Sequence, residues 1–130
     1  MSHKEVVYTK QAPEPIGPYS QAVKVNGMVF ISGQIALDAE SGELTKHDIQ
    51  AETRKVMENL RAVLQAAGLG FDDIVKTSIF LSDMEYFQEV NAVYADYFKA
   101  DPPAREAVAV RHLPKYVNVE ISAIAVETID

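Results

Sequence analysis

From Val117 to Val126 the sequence reads as a strand that is largely apolar on both faces and carries one carboxylate in its middle. Side chains alternate along a strand, so Val117, Val119, Ile121, Ala123 and Ala125 point one way, while Asn118, Glu120, Ser122, Ile124 and Val126 point the other. The first set belongs in a core. The second set ends too apolar for open water, and whatever covers it decides what the chain builds.

The remaining elements limit that choice. Glu5–Tyr8 and Ala22–Val25 read as short strands, and Asn26-Gly27 is a two-residue hairpin turn that returns the chain as Met28–Ser32. Between the first two strands, Ala12 to Ser20 holds three prolines and one glycine, a composition that forbids regular pairing and favours a stiff, extended loop. Residues 38–43 read as a turn before a helix with Thr45 as N-cap and Asp48 at its third position; a calcium loop would need ligand spacing and a terminal Glu that are missing. Ile49, Val56, Leu60, Val63, Leu64 and Ala67 recur at helical spacing up to Gly68. Ile74–Leu81 reads as a strand, Ser82 with Glu85 as a capping box, and Phe87, Val90, Val93, Tyr94, Tyr97 and Phe98 as the apolar face of a second helix that Asp101-Pro102-Pro103 ends. A strand near Glu106–Val110 precedes the last one.

This order predicts a single α+β domain over residues 1–130: a six-stranded mixed sheet crossed by two helices. Right-handed crossovers place both helices on one sheet face. The face that carries Glu120 is then left for other subunits, and a homo-oligomer is expected.

Composition removes several function classes. The content is 48% hydrophobic, with no apolar run of membrane-spanning length and no signal-peptide pattern, so a soluble, cytoplasmic protein is expected. With no cysteine there is no disulfide or thiol chemistry, and His3, His47 and His112 lack metal-ligand spacing, so no metal is expected. A formal net charge of −7 makes nucleic acid a poor partner, and Lys46, Arg54, Lys55 and Arg61 alternate with Asp48, Glu52 and Glu58 as on a solvated helix face. Dinucleotide, Walker and serine-elbow motifs are absent from the sequence.

A few residues offer chemistry. Arg105 follows a rigid Pro-Pro-Ala turn, where its planar fork suits a carboxylate; a surface ion pair with Glu106 or Glu120 is the structural alternative. Glu120 lies in an apolar strand and must find a cation or shift its pKa. Asn91, beside the apolar stripe of its helix, needs a partner for its amide and otherwise ties down a loop. Ser32-Gly33 permits close approach of another backbone or of a ligand, or marks a plain β-bulge. Tyr19 offers a flat wall with a hydroxyl tip, or simply packs.

Four motifs, Ile16-Gly17-Pro18-Tyr19-Ser20-Gln21-Ala22, Ser32-Gly33-Gln34-Ile35, Pro103-Ala104-Arg105 and Val119-Glu120-Ile121, together resemble the RidA (YjgF) family over about Thr9 to Val126. The resemblance implies a chorismate mutase-like fold, a homotrimer with its sites between subunits, and cofactor-free deamination of reactive enamines and imines such as 2-iminopropanoate and 2-iminobutanoate. It further implies that Arg105 anchors the substrate carboxylate, that Glu120 handles the water, and that Tyr19, Ser32, Gly33, Asn91 and Ala107 surround the ligand. Many relatives carry a cysteine where this chain has Ala107, which puts thiol modification in doubt rather than deamination. Glu106 stands where a small or apolar residue is common, and alternation aims it away from Arg105. The segment from Asn91 to Arg105 is shorter than in enterobacterial-type relatives, with Pro102 where an aromatic often sits. RNA cleavage or translation inhibition, described for some members, and ligand binding without turnover are the competing functions.

Overall fold

The computed structural model describes residues 3–128; residues 1, 2, 129 and 130 of the expected domain lie outside the described residues. The elements are β1 (Glu5–Val7), β2 (Ala22–Val25), β3 (Met28–Gln34), α1 (Ile49–Ala66), β4 (Ile74–Leu81), α2 (Phe87–Ala95), β5 (Ala104–Ala109) and β6 (Val119–Val126). They form one six-stranded sheet in the order β1-β2-β3-β6-β4-β5, parallel between β4 and β5 and antiparallel elsewhere. The strand with two apolar faces is therefore an interior strand, paired with β3 on one side and β4 on the other.

Both helices lie on one face of the sheet. Val56, Met57, Leu60, Val63 and Leu64 of α1 are fully buried against Val29, Ile31, Ile79, Leu81, Val119 and Ile121. α2 packs beside α1, and its buried Tyr94 hydroxyl lies 2.7 Å from the Thr77 hydroxyl of β4. The opposite face carries Met28 and Phe30 of β3, paired with Val126 and Ile124, together with Val6 and Val108 toward the edges. Among the described residues no helix covers it, and Phe30 keeps 38% of its surface exposed.

Several boundaries differ from the sequence reading, and at Thr45, Ser82 and Ala104 the reason is that tertiary pairing takes a residue that local chemistry assigns elsewhere. Thr45 is not the N-cap: its amide donates to the Ala36 carbonyl beside the Leu37–Leu44 bridge, so the chain is still laddered there. Asp48 caps α1 instead, accepting the Ala51 amide at 2.7 Å. Ser82 does not cap α2, because it continues the β4–β6 ladder through its amide and donates its hydroxyl to Asn118 Oδ1 at 2.8 Å. Asp83 caps a 3-10 turn, Met84–Tyr86, ahead of α2, which stops at Ala95 and leaves Tyr97 and Phe98 beyond it, still packed on the core. β5 begins at Ala104 and not Glu106, because Ala104 already pairs with Lys76. β6 begins at Val119 and not Val117, after a 3-10 turn at Pro114–Tyr116.

Glu52 is the largest departure. Expected on a solvated face, it has no exposed surface. It stands three residues after Ile49 and four before Val56, on the apolar stripe itself, and that spacing was the signal that could have placed it.

Candidate functional site

Arg105 and Glu120 do not meet within one chain. Arg105 pairs across β4 with Thr77, on the helix-covered face, whereas Glu120 pairs with Phe80, on the open face. The site residues accordingly divide into two groups on opposite sides of the sheet.

The first group sits where the β5 edge meets α2. Arg105 donates from Nη1 to Asn91 Oδ1 at 2.6 Å, and its guanidinium lies over the Tyr94 and Phe87 rings, 5.0 and 5.4 Å from their centroids. Among the described residues it makes no ion pair, so neither Glu106 nor Glu120 neutralises it. Glu106 faces away as alternation requires; the Ser78 hydroxyl, which it accepts at 2.6 Å, and then Lys76, 3.5 Å away, hold its carboxyl below the usual range. An amide oxygen and two aromatic faces orient a cation without cancelling its charge, leaving the exposed edge of the fork for an incoming carboxylate. Asn91 is thereby satisfied through the arginine rather than by tying a loop. Burial pushes the Tyr94 hydroxyl pKa up, keeping that platform neutral. Pro102 and Pro103 wall the cleft, and Ala107 lies two residues along the same strand face.

The second group surrounds Glu120 in a cavity of about 360 Å³ lined by Ile16, Tyr19, Gly33, Ile35, Pro114 and Lys115, among others. Gly33 lies at the expected β-bulge, and the group that approaches it is a side chain, neither another backbone nor a ligand. The β3–β6 register shifts between Ile31 and Gln34, a bulge, and a Cβ at Gly33 would stand 2.5 Å from Glu120 Oε2. The glycine thus leaves the volume that the carboxylate occupies. Burial raises the Glu120 pKa above the ordinary carboxylate value.

The Pro-rich loop brings Tyr19 to this cavity. Gln21, buried and missed in the sequence, holds the loop down by donating to the carbonyls of Thr9, Ala12 and Pro13 while its Oε1 accepts the Thr9 amide. A side-chain amide is one of the few groups able to serve backbone that proline prevents from pairing. Tyr19 is half exposed, its hydroxyl accepting the Ile16 amide at 3.2 Å, and it is a wall rather than a packing residue. The Ser32 hydroxyl donates to the Ser20 carbonyl at 2.7 Å and fastens the end of β3 to the same loop. Among the described residues no cluster of three or more His, Asp or Glu side chains is gathered to hold a metal, and no helix is long and apolar enough to cross a membrane.

This geometry defines a class: a small α+β domain with an uncommitted arginine at one sheet edge and a half-buried carboxyl on the uncovered face. The sequence model of the endoribonuclease L-PSP family matches residues 9–127, and the chain belongs to that family, the RidA (YjgF) group. A RutC family protein of Pyrococcus horikoshii is 52% identical over 122 residues, covering 94% of this chain and 97% of the relative. The 2-iminobutanoate/2-iminopropanoate deaminase of Mus musculus is 45% identical, covering 95% of this chain and 92% of the enzyme. The crystal structure of E. coli TdcF with bound serine superposes with a TM-score of 0.91 at 42% identity, covering 95% of this chain and 99% of that one.

Proposed function

We propose that the protein hydrolyses reactive 2-imino acids, such as 2-iminopropanoate and 2-iminobutanoate, to 2-oxo acids and ammonia. The active site is completed between copies of the chain in a homotrimer. The observation that carries this reading is the division of the site: among the described residues, a guanidinium has no counter-ion on one face and a carboxyl has no cation on the other. Each lacks what the other supplies, and the uncovered apolar face offers the surface for association. The deaminase named for the mouse relative has the same chemistry.

Arg105 of one copy binds the substrate carboxylate, with Asn91 and Ala107 beside it. Glu120 of a second copy, with Tyr19, Ser32 and Gly33, lies across the C=N bond. Water adds to the imine carbon while Glu120 takes its proton and passes it to the imine nitrogen, giving the carbinolamine; Glu120 then carries the carbinolamine's hydroxyl proton to the same nitrogen as the C–N bond breaks, so that ammonia leaves and the 2-oxo acid remains. Atoms balance with water as the only co-reactant. A net charge of −7 disfavours an RNA substrate.

The test couples the purified protein to a PLP-dependent threonine dehydratase, which generates the imine in the same tube. Faster release of ammonia and 2-oxo acid than with the dehydratase alone is expected, and equal rates would exclude the activity. Gly33→Ala probes the geometry. The added methyl meets Glu120 at Cγ, Cδ and Oε2, at 3.0, 2.8 and 2.5 Å, and pushes that side chain toward the cavity, so the unfolding midpoint should fall slightly while kcat falls by about 10- to 100-fold. Wild-type kcat in that variant would show that the placement of Glu120 against Gly33 does not matter.

A further inference from the structure

Three polar residues of α1 are buried: Thr53, whose hydroxyl donates to the Ile49 carbonyl of its own helix, and Glu52 and Asn59, whose hydrogen bonds reach outside it. Glu52 has no exposed surface and Asn59 keeps 2%. Seven residues apart, they stand on the same helix face about 10 Å from one another. Glu52 Oε2 accepts the backbone N–H groups of Asn118 and Val119 at 2.7 and 3.0 Å, and its Oε1 accepts Asn118 Nδ2 at 3.1 Å. Asn59 donates from Nδ2 to the carbonyls of Ile35 and Leu37, both at 2.9 Å. The carboxylate serves donors where β6 begins, and the amide serves acceptors just past the end of β3.

These two stretches adjoin the cavity around Glu120: Ile35 and Leu37 line it on one side and Pro114 and Lys115 on the other, and the residues that Glu52 holds, Asn118 and Val119, join Lys115 to Glu120 along the chain. That second wall is held, not relaxed. Lys115 and Tyr116 both have left-handed backbones, at φ 55° and 54°, conformations that residues with side chains keep only where their surroundings enforce them. Lys46 donates to the Tyr116 carbonyl at 3.0 Å, and Ser82 bonds Asn118 by amide and hydroxyl.

We infer that Glu52 is a positioning residue for Glu120, fixing the start of β6 from within the core while Asn59 fixes the facing wall. It acts through the main chain and touches no reacting atom. The inference rests on the proposed reaction only for its kinetic readout. An apolar residue at position 52 would fill the space but leave the Asn118 and Val119 amides buried without an acceptor. Glutamine would not, because its Oε1 can accept both amides and its Nε2 can face a turned-over Asn118 side chain, with the Ser82 hydroxyl then accepting.

The experiment compares Glu52→Leu and Glu52→Gln by carbon NMR titration of the Glu120 carboxyl and by steady-state kinetics. The other titratable side chains lining the cavity are Glu14, Tyr19 and Lys115, and neither substitution alters them. In Glu52→Leu the Glu120 titration is expected to fall back toward the ordinary carboxylate range as the wall loosens and water enters. There kcat should drop about tenfold or more with KM little changed. Glu52→Gln should stay within about threefold of wild type on the same reasoning. Placed in a Glu120→Gln background, Glu52→Leu should cost no further kcat, whereas a residue needed only for folding would multiply the loss.

An unchanged Glu120 titration in Glu52→Leu, or multiplicative losses in the double variant, would overturn the inference. If Glu52→Leu does not fold, Asn118→Ala takes its place, removing the side-chain contact and leaving both backbone bonds. It should shift the Glu120 titration in the same direction by a smaller amount, and no shift would again overturn the inference. Because the titration needs no turnover, a wild-type protein inert toward imines would refute the proposed reaction and leave Glu52 to be judged by NMR alone.

Discussion

Arg105→Lys is expected to lower kcat/KM for 2-imino acids by about 100-fold or more, with fold and association unchanged. The guanidinium can form two parallel bonds to a carboxylate, each charge-assisted bond contributing about 1.5–3 kcal/mol, and about 1.4 kcal/mol corresponds to a factor of ten. An ammonium at the end of a flexible stem keeps the charge. It gives up the fork, the stacking on Tyr94 and Phe87 and the orientation set by Asn91. Arg105 is exposed and, among the described residues, its one side-chain hydrogen bond goes to Asn91, so unfolding midpoint and sedimentation should match wild type. Activity within threefold of wild type would remove Arg105 from the role of carboxylate anchor.

Glu120→Gln should reduce kcat by about 100-fold or more, the ordinary scale for losing a group that moves a proton in the transition state. Its effect on stability has the opposite sense. The folded-state pKa of Glu120 is raised, so its contribution to stability is fully present below the unfolded-state value and is lost as pH rises through the folded-state value. At neutral pH the ionised carboxylate opposes folding, and Glu120→Gln should melt no lower than wild type there. A clearly lower midpoint would mean that the charge is compensated in the native state.

The wild-type pH profile follows from the same burial. Taking a proton from water requires the carboxylate, so kcat should fall on acidification through the raised Glu120 value. A kcat that stays constant on acidification through that value would remove Glu120 from the proton transfer.

What was legible in the sequence was local or periodic. Alternation in residues 117–126 depends only on strand geometry, and the observed burial follows it residue by residue. Asn26-Gly27 forms the expected turn because both residues adopt positive φ, 51° and 77°, with no help from distant contacts. The misplaced caps have the opposite origin. Whether Thr45 or Asp48 starts α1 depends on where the preceding ladder lets go, and that is fixed by the Ala36 carbonyl. The spacing of Glu52 put it on the apolar stripe, but the amides that it serves are 66 and 67 residues away and no local pattern points to them.

For the site, the four motifs named the residues that surround it but not how one chain divides them. The face on which Arg105 lies follows from its pairing with Thr77, and that of Glu120 from its pairing with Phe80. No spacing between positions 105 and 120 encodes that outcome, because two strands separated by a third can have their side chains in either sense.

The interior position of β6 bears on how the chain comes off the ribosome. β3 and β4 are neighbours of β6 and not of each other, so the β1–β3 meander and the β4–β5 pair have no common sheet until the last strand in chain order has emerged. Until then two apolar strand edges stand open at once, the state in which nascent chains pair with the wrong partner. Closure joins segments about a hundred residues apart, a long-range step of the kind that slows folding, and places the strand bearing Glu120 last.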